Sequence, residues 1–205
     1  MTNSNNPKNL KDEIITNTLQ EILFEIRQVY NYFVGDVSVH IKLKEIIDNE
    51  DFLRTLYREP SSRDEGTGEL FKVFNHTSIS ALKNLTLKKS VINDAKVRVN
   101  SAYNEVLLNP TQNWLCTDLN KAEEKNLYYS TSSNWKVYYK SLAIFPITDR
   151  YSYDEEKNMK GILIIDSKYT ECFPPEITKQ IGGLLAHRLN HIFSLTDVYE
   201  KYFTD

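Results

Sequence analysis

The chain has 205 residues, 40% of them hydrophobic and 26% charged, with a formal net charge of −3. That is ample apolar material for one sizeable core, and it excludes a chain disordered throughout. It also excludes the basic footprint that nucleic-acid binding leaves, because Lys88-Lys89 is the only adjacent pair of lysine or arginine residues.

The first dozen residues, MTNSNNPKNLKD, are polar and contain no apolar run of the kind a secretory leader carries. No purely apolar run elsewhere approaches the length a bilayer requires. The expectation is a cytoplasmic protein that does not engage a membrane, with Cys116 and Cys172 as reduced thiols. Residues 1–12 read as a disordered tail and 13–205 as a single domain.

In chain order, Ile15, Leu19, Ile22, Ile26, Val29 and Phe33 recur at alternating spacings of four and three, with Leu23 and Tyr30 beside them. This is an amphipathic helix that Gly35-Asp36 ends. Its stripe suits a helix pairing with a second chain or one lying on its own sheet. Val37, Val39, Ile41 and Leu43 then alternate with Ser38, His40, Lys42 and Lys44, the pattern of a half-exposed strand. Asp48-Asn49-Glu50 turns the chain into a second strand over Phe52–Tyr57, and Pro60–Gly68 reads as a loop. Phe71–Phe74 suits a strand and Ser78–Leu85 a helix, while Lys88–Lys96 shows no clear pattern.

Ser101–Leu108 reads as a helix stopped at Asn109-Pro110. Trp114–Thr117 follows as a short strand, with Asp118 as the N-cap of another helix. Leu142–Ile147 and Gly161–Ile165 are apolar on both faces and read as antiparallel neighbours at the middle of a covered sheet. After Pro174-Pro175 the last helix presents Ile177, Ile181, Leu184, Leu185, Leu189, Ile192 and Phe193, and its Gly182-Gly183 pair implies close packing. The class is α/β around an antiparallel sheet.

From about Arg98 to Ser194 the chain resembles the GAF domain family of small-molecule sensors. The matching pieces, in order, are RVNSAYNEVLLNPTQNWLCTDL, NWKVYYKSLAIFPI and KGILIIDSKYTECFPPEITKQIGGLLAHRLNHI. The resemblance implies a ligand cavity with a lid on one sheet face and the terminal helices on the other, where they often carry dimer contacts. It makes Asp166, at the end of GILIID, a turn or capping residue rather than a catalytic acid. The cyclic-nucleotide motif of the family is missing, since Asn120-Lys121 and Glu123-Glu124 lack its phenylalanine. Neither cysteine lies in a bilin-attachment context, and no cofactor is implied.

The candidate site is the aromatic stretch before the central strand, with Trp114, Cys116, Asp118, Tyr128, Tyr129, Trp135 and Tyr139 as ligand-binding residues. Aromatic faces with a few convergent polar groups suit a nucleotide-like or other small metabolite. No residue is assigned a catalytic role, and His187 with His191 lacks the further ligands a metal needs. The expectation is a non-enzymatic sensor acting through a homodimer of its terminal helices or through a protein partner that supplies the output. The alternatives are an interaction module with a filled pocket, and a free methionine sulfoxide reductase using Cys116 with Cys172.

Overall fold

The computed structural model describes residues 7–47, 49–58, 70–74, 78–87, 97–132, 135–148 and 159–203. Helix α1 spans Pro7–Val34 and ends where Gly35 takes a positive φ of 93°, a conformation that costs glycine little. It begins at Pro7, inside the stretch expected to be a disordered tail. Strands β1 (Val37–Ile47) and β2 (Glu50–Arg58) form the expected hairpin, with Ile47 opposite Glu50 and Asn49 at φ 61°. β3 (Leu70–Lys72), α2 (Ile79–Leu87), β4 (Val97–Arg98) and α3 (Ser101–Leu108) follow. Next come β5 (Trp114–Cys116), α4 (Leu119–Glu124) and α5 (Trp135–Tyr138). The chain closes with β6 (Ser141–Ile147), β7 (Gly161–Ser167) and α6 (Pro175–Phe203). The loop read at Pro60–Gly68 and the segment Lys88–Lys96 lie outside the described residues.

Among the described residues, seven strands form one sheet in the order β4-β3-β2-β1-β7-β6-β5, antiparallel except for the β3–β4 pair. β6 and β7 are antiparallel neighbours, with Phe145 opposite Leu163, as their two-sided apolar runs predict. Alternation sends Leu163 and Ile165 to one face and Ile162 and Ile164 to the other. Each of these side chains is fully buried, so both faces are covered. A core side chain of this size contributes about 1.5–3 kcal/mol by leaving water.

Helices α1 and α6 cover one face. Leu19, Leu23, Ile26 and Tyr30 of α1 meet Val37, Val39 and Ile41 of β1, while Ala186, Leu189 and Phe193 of α6 complete the layer. Gly182 of α6 sits on the ring of Phe145, where a Cβ would lie 2.1 Å from the ring. That contact explains Gly182 in an otherwise good helix. The Tyr30 hydroxyl donates to the Thr178 carbonyl at 2.9 Å, tying the two helices together.

Both terminal helices bury a face different from the stripe their spacing predicts. On α1 the sheet takes Leu19, Leu23, Ile26 and Tyr30, and leaves Val29 and Phe33 exposed. On α6, Ile177 and Leu184 are exposed and the small residues Gly182, Gly183 and Ala186 are buried instead. A helix lying this close to a sheet needs small side chains at the contact, and its larger residues are displaced to the flanks.

The second face carries α3, α4 and α5 with the intervening segments, over Leu53, Phe71, Leu142, Ile144, Ile162 and Ile164. β1 departs from the half-exposed strand its alternation predicts: it lies between β2 and β7 inside the sheet, and His40 and Lys42 on this second face are as buried as the valines behind them. Alternation of polar and apolar residues is the same whether the polar side meets water or a polar interior.

Candidate functional site

Between the second sheet face and its cover lies a cavity of about 190 Å³. Its floor comes from β1, β2 and β7. Ser38 pairs with Asp166 across β1–β7, and His40 pairs with Arg58 across β1–β2, so these four residues share one sheet face. A bulge between Ile41 and Lys42 makes this possible. It lets Arg58 and Thr55, three residues apart, both lie beside cavity-side residues of β1, His40 and Lys42. The cover supplies Ser132, Val137, Tyr138 and Tyr139, while Phe71 and Tyr103 close one side. Asp36 and Lys168, paired at 2.8 Å and half exposed, form part of the rim.

The cover is laced to the start of α3. Asn100 caps that helix, its side-chain oxygen accepting from Ala102 N at 3.0 Å, while its amide donates to the Tyr128 hydroxyl at 3.0 Å. Ser101 N donates to the Tyr129 carbonyl at 2.8 Å, Tyr129 N donates to Ser101 Oγ at 2.9 Å, and Thr131 N donates to the Val99 carbonyl at 3.0 Å. Lys140 N donates to the Ser167 carbonyl at 2.7 Å, pinning the far end of the cover to β7. Cover and floor are therefore held in fixed register by backbone hydrogen bonds.

His40 is the most unusual residue of the floor. It is 2% exposed, and neither ring nitrogen finds a hydrogen-bond partner among the described residues. Asp166 Oδ2 lies 3.5 Å from its Nδ1, too far for a good hydrogen bond. Burial first, then the nearby Arg58 and Lys42 charges, hold the imidazole well below its ordinary pKa, so the ring is neutral at pH 7. Geometry pairs His40 with Asp166 as if it were charged. Loss of water around a ring this enclosed outweighs that single contact, and the neutral form prevails. Lys42, beneath the floor, is fully buried, with its ammonium 2.5 Å from Thr55 Oγ1 and 4.1 Å from the centre of the Phe71 ring.

Asp166 is not the turn residue that the resemblance implied. It lies within β7, 6% exposed, with its carboxyl in the cavity wall. Of the seven residues named from sequence, Tyr139 lines the cavity. Burial first, then the neighbouring phenols of Tyr128 and Tyr103, raises its pKa well above the ordinary value, so it stays a neutral donor or acceptor. Tyr128 and Trp135 stand behind it, Tyr128 Oη 3.3 Å from Tyr139 Oη and the Tyr128 and Trp135 ring centres 5.0 Å apart, edge to face. Both are buried and support the wall rather than form it.

The other four are not among the lining residues. Trp114, on the outer strand β5, donates through Nε1 to Glu105 Oε2 at 3.1 Å. Asp118 is the N-cap of α4, accepting from Lys121 N at 3.1 Å. Tyr129 is held by its backbone to Ser101, and Cys116 packs into the apolar layer. Burial raises the Cys116 thiol pKa, so it is not an activated thiolate. Cys172 packs with the helices of the opposite sheet face. His187 and His191 approach each other at 3.0 Å on α6, and no cluster of three metal-ligating side chains occurs among the described residues. No described helix is long and apolar enough to cross a membrane.

No protein-family model matches the chain, and no curated protein does. Solved structures are similar in shape. The GAF domain of A. aeolicus nlh2 in an inactive state is 12% identical, with 92% of this chain and 98% of that one covered and a TM-score of 0.51. The GAF domain of Acinetobacter phosphoenolpyruvate-protein phosphotransferase is 14% identical, with 97% of each chain covered and a TM-score of 0.50. A far-red cyanobacteriochrome photoreceptor is 11% identical, with 92% of this chain and 93% of that one covered and a TM-score of 0.52. At these identities the likeness is one of fold, and together with the helix-covered sheet and the lidded cavity it shows that the chain has the GAF-domain fold.

Proposed function

We propose that this protein is a non-enzymatic, cytoplasmic sensor domain that binds a small polar metabolite in the cavity between β1, β7 and the cover. The supporting observation is His40, an almost fully buried side chain facing the cavity with both ring nitrogens unpartnered among the described residues. Leaving such a group unpaired costs about 1–3 kcal/mol, which a ligand able to pair with it recovers. Binding favours whichever arrangement of cover and strand ends holds the ligand, and that shift of population is the signal.

The output passes through a second copy or another protein. Tyr32 is 85% exposed, and Phe24 and Phe33 on α1, with Ile177, Leu184 and Leu195 on α6, add apolar surface of the kind a helical interface takes up. Thermal-shift screening against nucleotides, cyclic dinucleotides, amino acids and central metabolites tests the reading. A ligand at a hundred times its Kd stabilises the fold by about 2.7 kcal/mol. That stabilisation is expected for at least one compound and is lost in His40→Leu. Retention of the full shift in His40→Leu contradicts it.

A further inference from the structure

We propose a second binding site, separate from the cavity: a two-imidazole clamp formed by His187 and His191 of α6, which takes a divalent transition ion of the copper(II) or nickel(II) kind. Helix α6 lies on the opposite sheet face from the cavity, so this site does not rest on the sensor reading. On a helix, residues four apart are neighbours on one face. Here the two rings meet edge to face with centres 4.4 Å apart, and their Nε2 atoms lie 3.0 Å from each other. One Nε2 donates to the other, so both outer nitrogens are aimed at a common point. An ion replaces that hydrogen bond. In the neutral pair the donating ring moves its hydrogen to Nδ1, and both Nε2 lone pairs become ligands with no proton lost.

The separation selects the ion. With metal–imidazole bonds of about 2.0–2.1 Å, two nitrogens at right angles in a square or octahedron lie about 2.8–3.0 Å apart, and two corners of a tetrahedron about 3.3–3.4 Å. The observed 3.0 Å is the right-angle value. Square-planar and tetragonal surroundings are those of copper(II) and nickel(II), and copper(II) heads the affinity order of the divalent ions in this row. Structural zinc asks for four protein ligands in a tetrahedron, which is why the pair alone makes no zinc site.

The remaining coordination positions go to water. Solvent reaches the pair, since His191 is exposed and His187 half-buried. An ion that ties residue 187 to residue 191 also holds one turn of α6 in helical form. That turn lies just beyond Gly182-Gly183, where the helix has its lowest intrinsic propensity.

The experiment is calorimetric titration of the full, tag-free chain with nickel(II), copper(II) and zinc(II) chlorides. The expected result is one ion bound per chain, with copper(II) the tightest. Affinity for copper(II) and nickel(II) is expected to fall about tenfold or more in His187→Gln and in His191→Gln. Electron paramagnetic resonance of the copper(II)-loaded chain is expected to show coupling to two imidazole nitrogens, and to one in either variant. His191 is exposed, so His191→Gln is expected to melt as the native chain does. It decides the matter even if His187→Gln fails to fold. His76→Gln, at a histidine outside the described residues, is expected to leave the affinity unchanged. Absence of copper(II) and nickel(II) binding overturns the clamp, as does full affinity in His191→Gln. Zinc(II) bound more tightly than copper(II) overturns the right-angle assignment. Each outcome leaves the cavity untouched, so the sensor reading stands or falls separately.

Discussion

The two faces of the sheet share the same three central strands and differ in what they bury. Under α1 and α6 the layer is mainly apolar, from Leu23 and Val39 to Phe145 and Leu189, with Thr178 and Asn190 of α6 buried beside it, and so close that Gly182 must lack a side chain. Under the cover, His40, Lys42, Thr55, Ser132 and Asp166 are buried among the apolar residues, and a cavity remains. Buried ionisable groups cost stability unless fully satisfied, and His40, Lys42 and Asp166 all lie on the cavity face, so stability and function draw on different sides of the sheet. One face holds the sheet together, and the other holds a site.

That contrast is open to direct test, beginning with the largest effect. Phe145→Ala, on the helical face, removes the ring beneath Gly182 and is expected to destabilise the fold by about 3–5 kcal/mol in urea unfolding. A loss below about 1 kcal/mol would mean that α6 is not seated on β6 as described. On the cavity face, Asn100→Ala removes both the α3 cap and the bond to Tyr128, at an expected cost of about 1–2 kcal/mol. The same substitution is expected to raise amide exchange in residues 128–132, which a cap acting on α3 alone would leave unchanged.

The next effect is one of pH. Folding depresses the His40 pKa, chiefly through burial, so below about pH 6.5 the unfolded chain takes up a proton that the folded chain does not. Stability is therefore fully present well above that pH and is lost as pH falls, by up to about 1 kcal/mol between pH 6.5 and 5.5. Subtracting the profile of His40→Gln isolates this contribution. The smallest effect is the most telling. His40→Leu replaces an unpartnered polar side chain with an apolar one, and is expected to be neutral or to stabilise by up to about 1 kcal/mol while abolishing ligand binding.

The sequence made the architecture legible where period and punctuation agree. Gly35, Asn49, Asp118 and Asn109-Pro110 end or begin elements where expected, and the two-sided apolar runs of β6 and β7 lie side by side. On the terminal helices two stripes overlap at the same spacing, and only the close seat of α6 on the sheet selects between Ile177 or Leu184 and the small residues.

The site was much less legible. The aromatic run from Trp114 to Tyr139 has the composition of a pocket, but hydroxyls and rings that line a cavity are indistinguishable in sequence from those that brace it. Tyr128 and Trp135 brace it. The wall instead joins residues near 36–40, 58, 71, 103, 132, 137–139 and 166–168, which meet only through strand pairing and a bulge that no local pattern announces. His40 and Asp166 stood in the sequence as an exposed-face residue and a turn. A signal was present in Asp166 directly following a fully buried run, but only the register with β1 turns it into a site.

If the cavity is a binding site, His40 is the reporter inside it. Ring-nitrogen NMR of the histidine-labelled protein, recorded during titration with a compound that raises the melting temperature, tests this most directly. The prediction is a saturable change in the His40 ring nitrogens, with those of His187 and His191 unmoved. A stabilising compound that leaves the His40 ring untouched would contradict it.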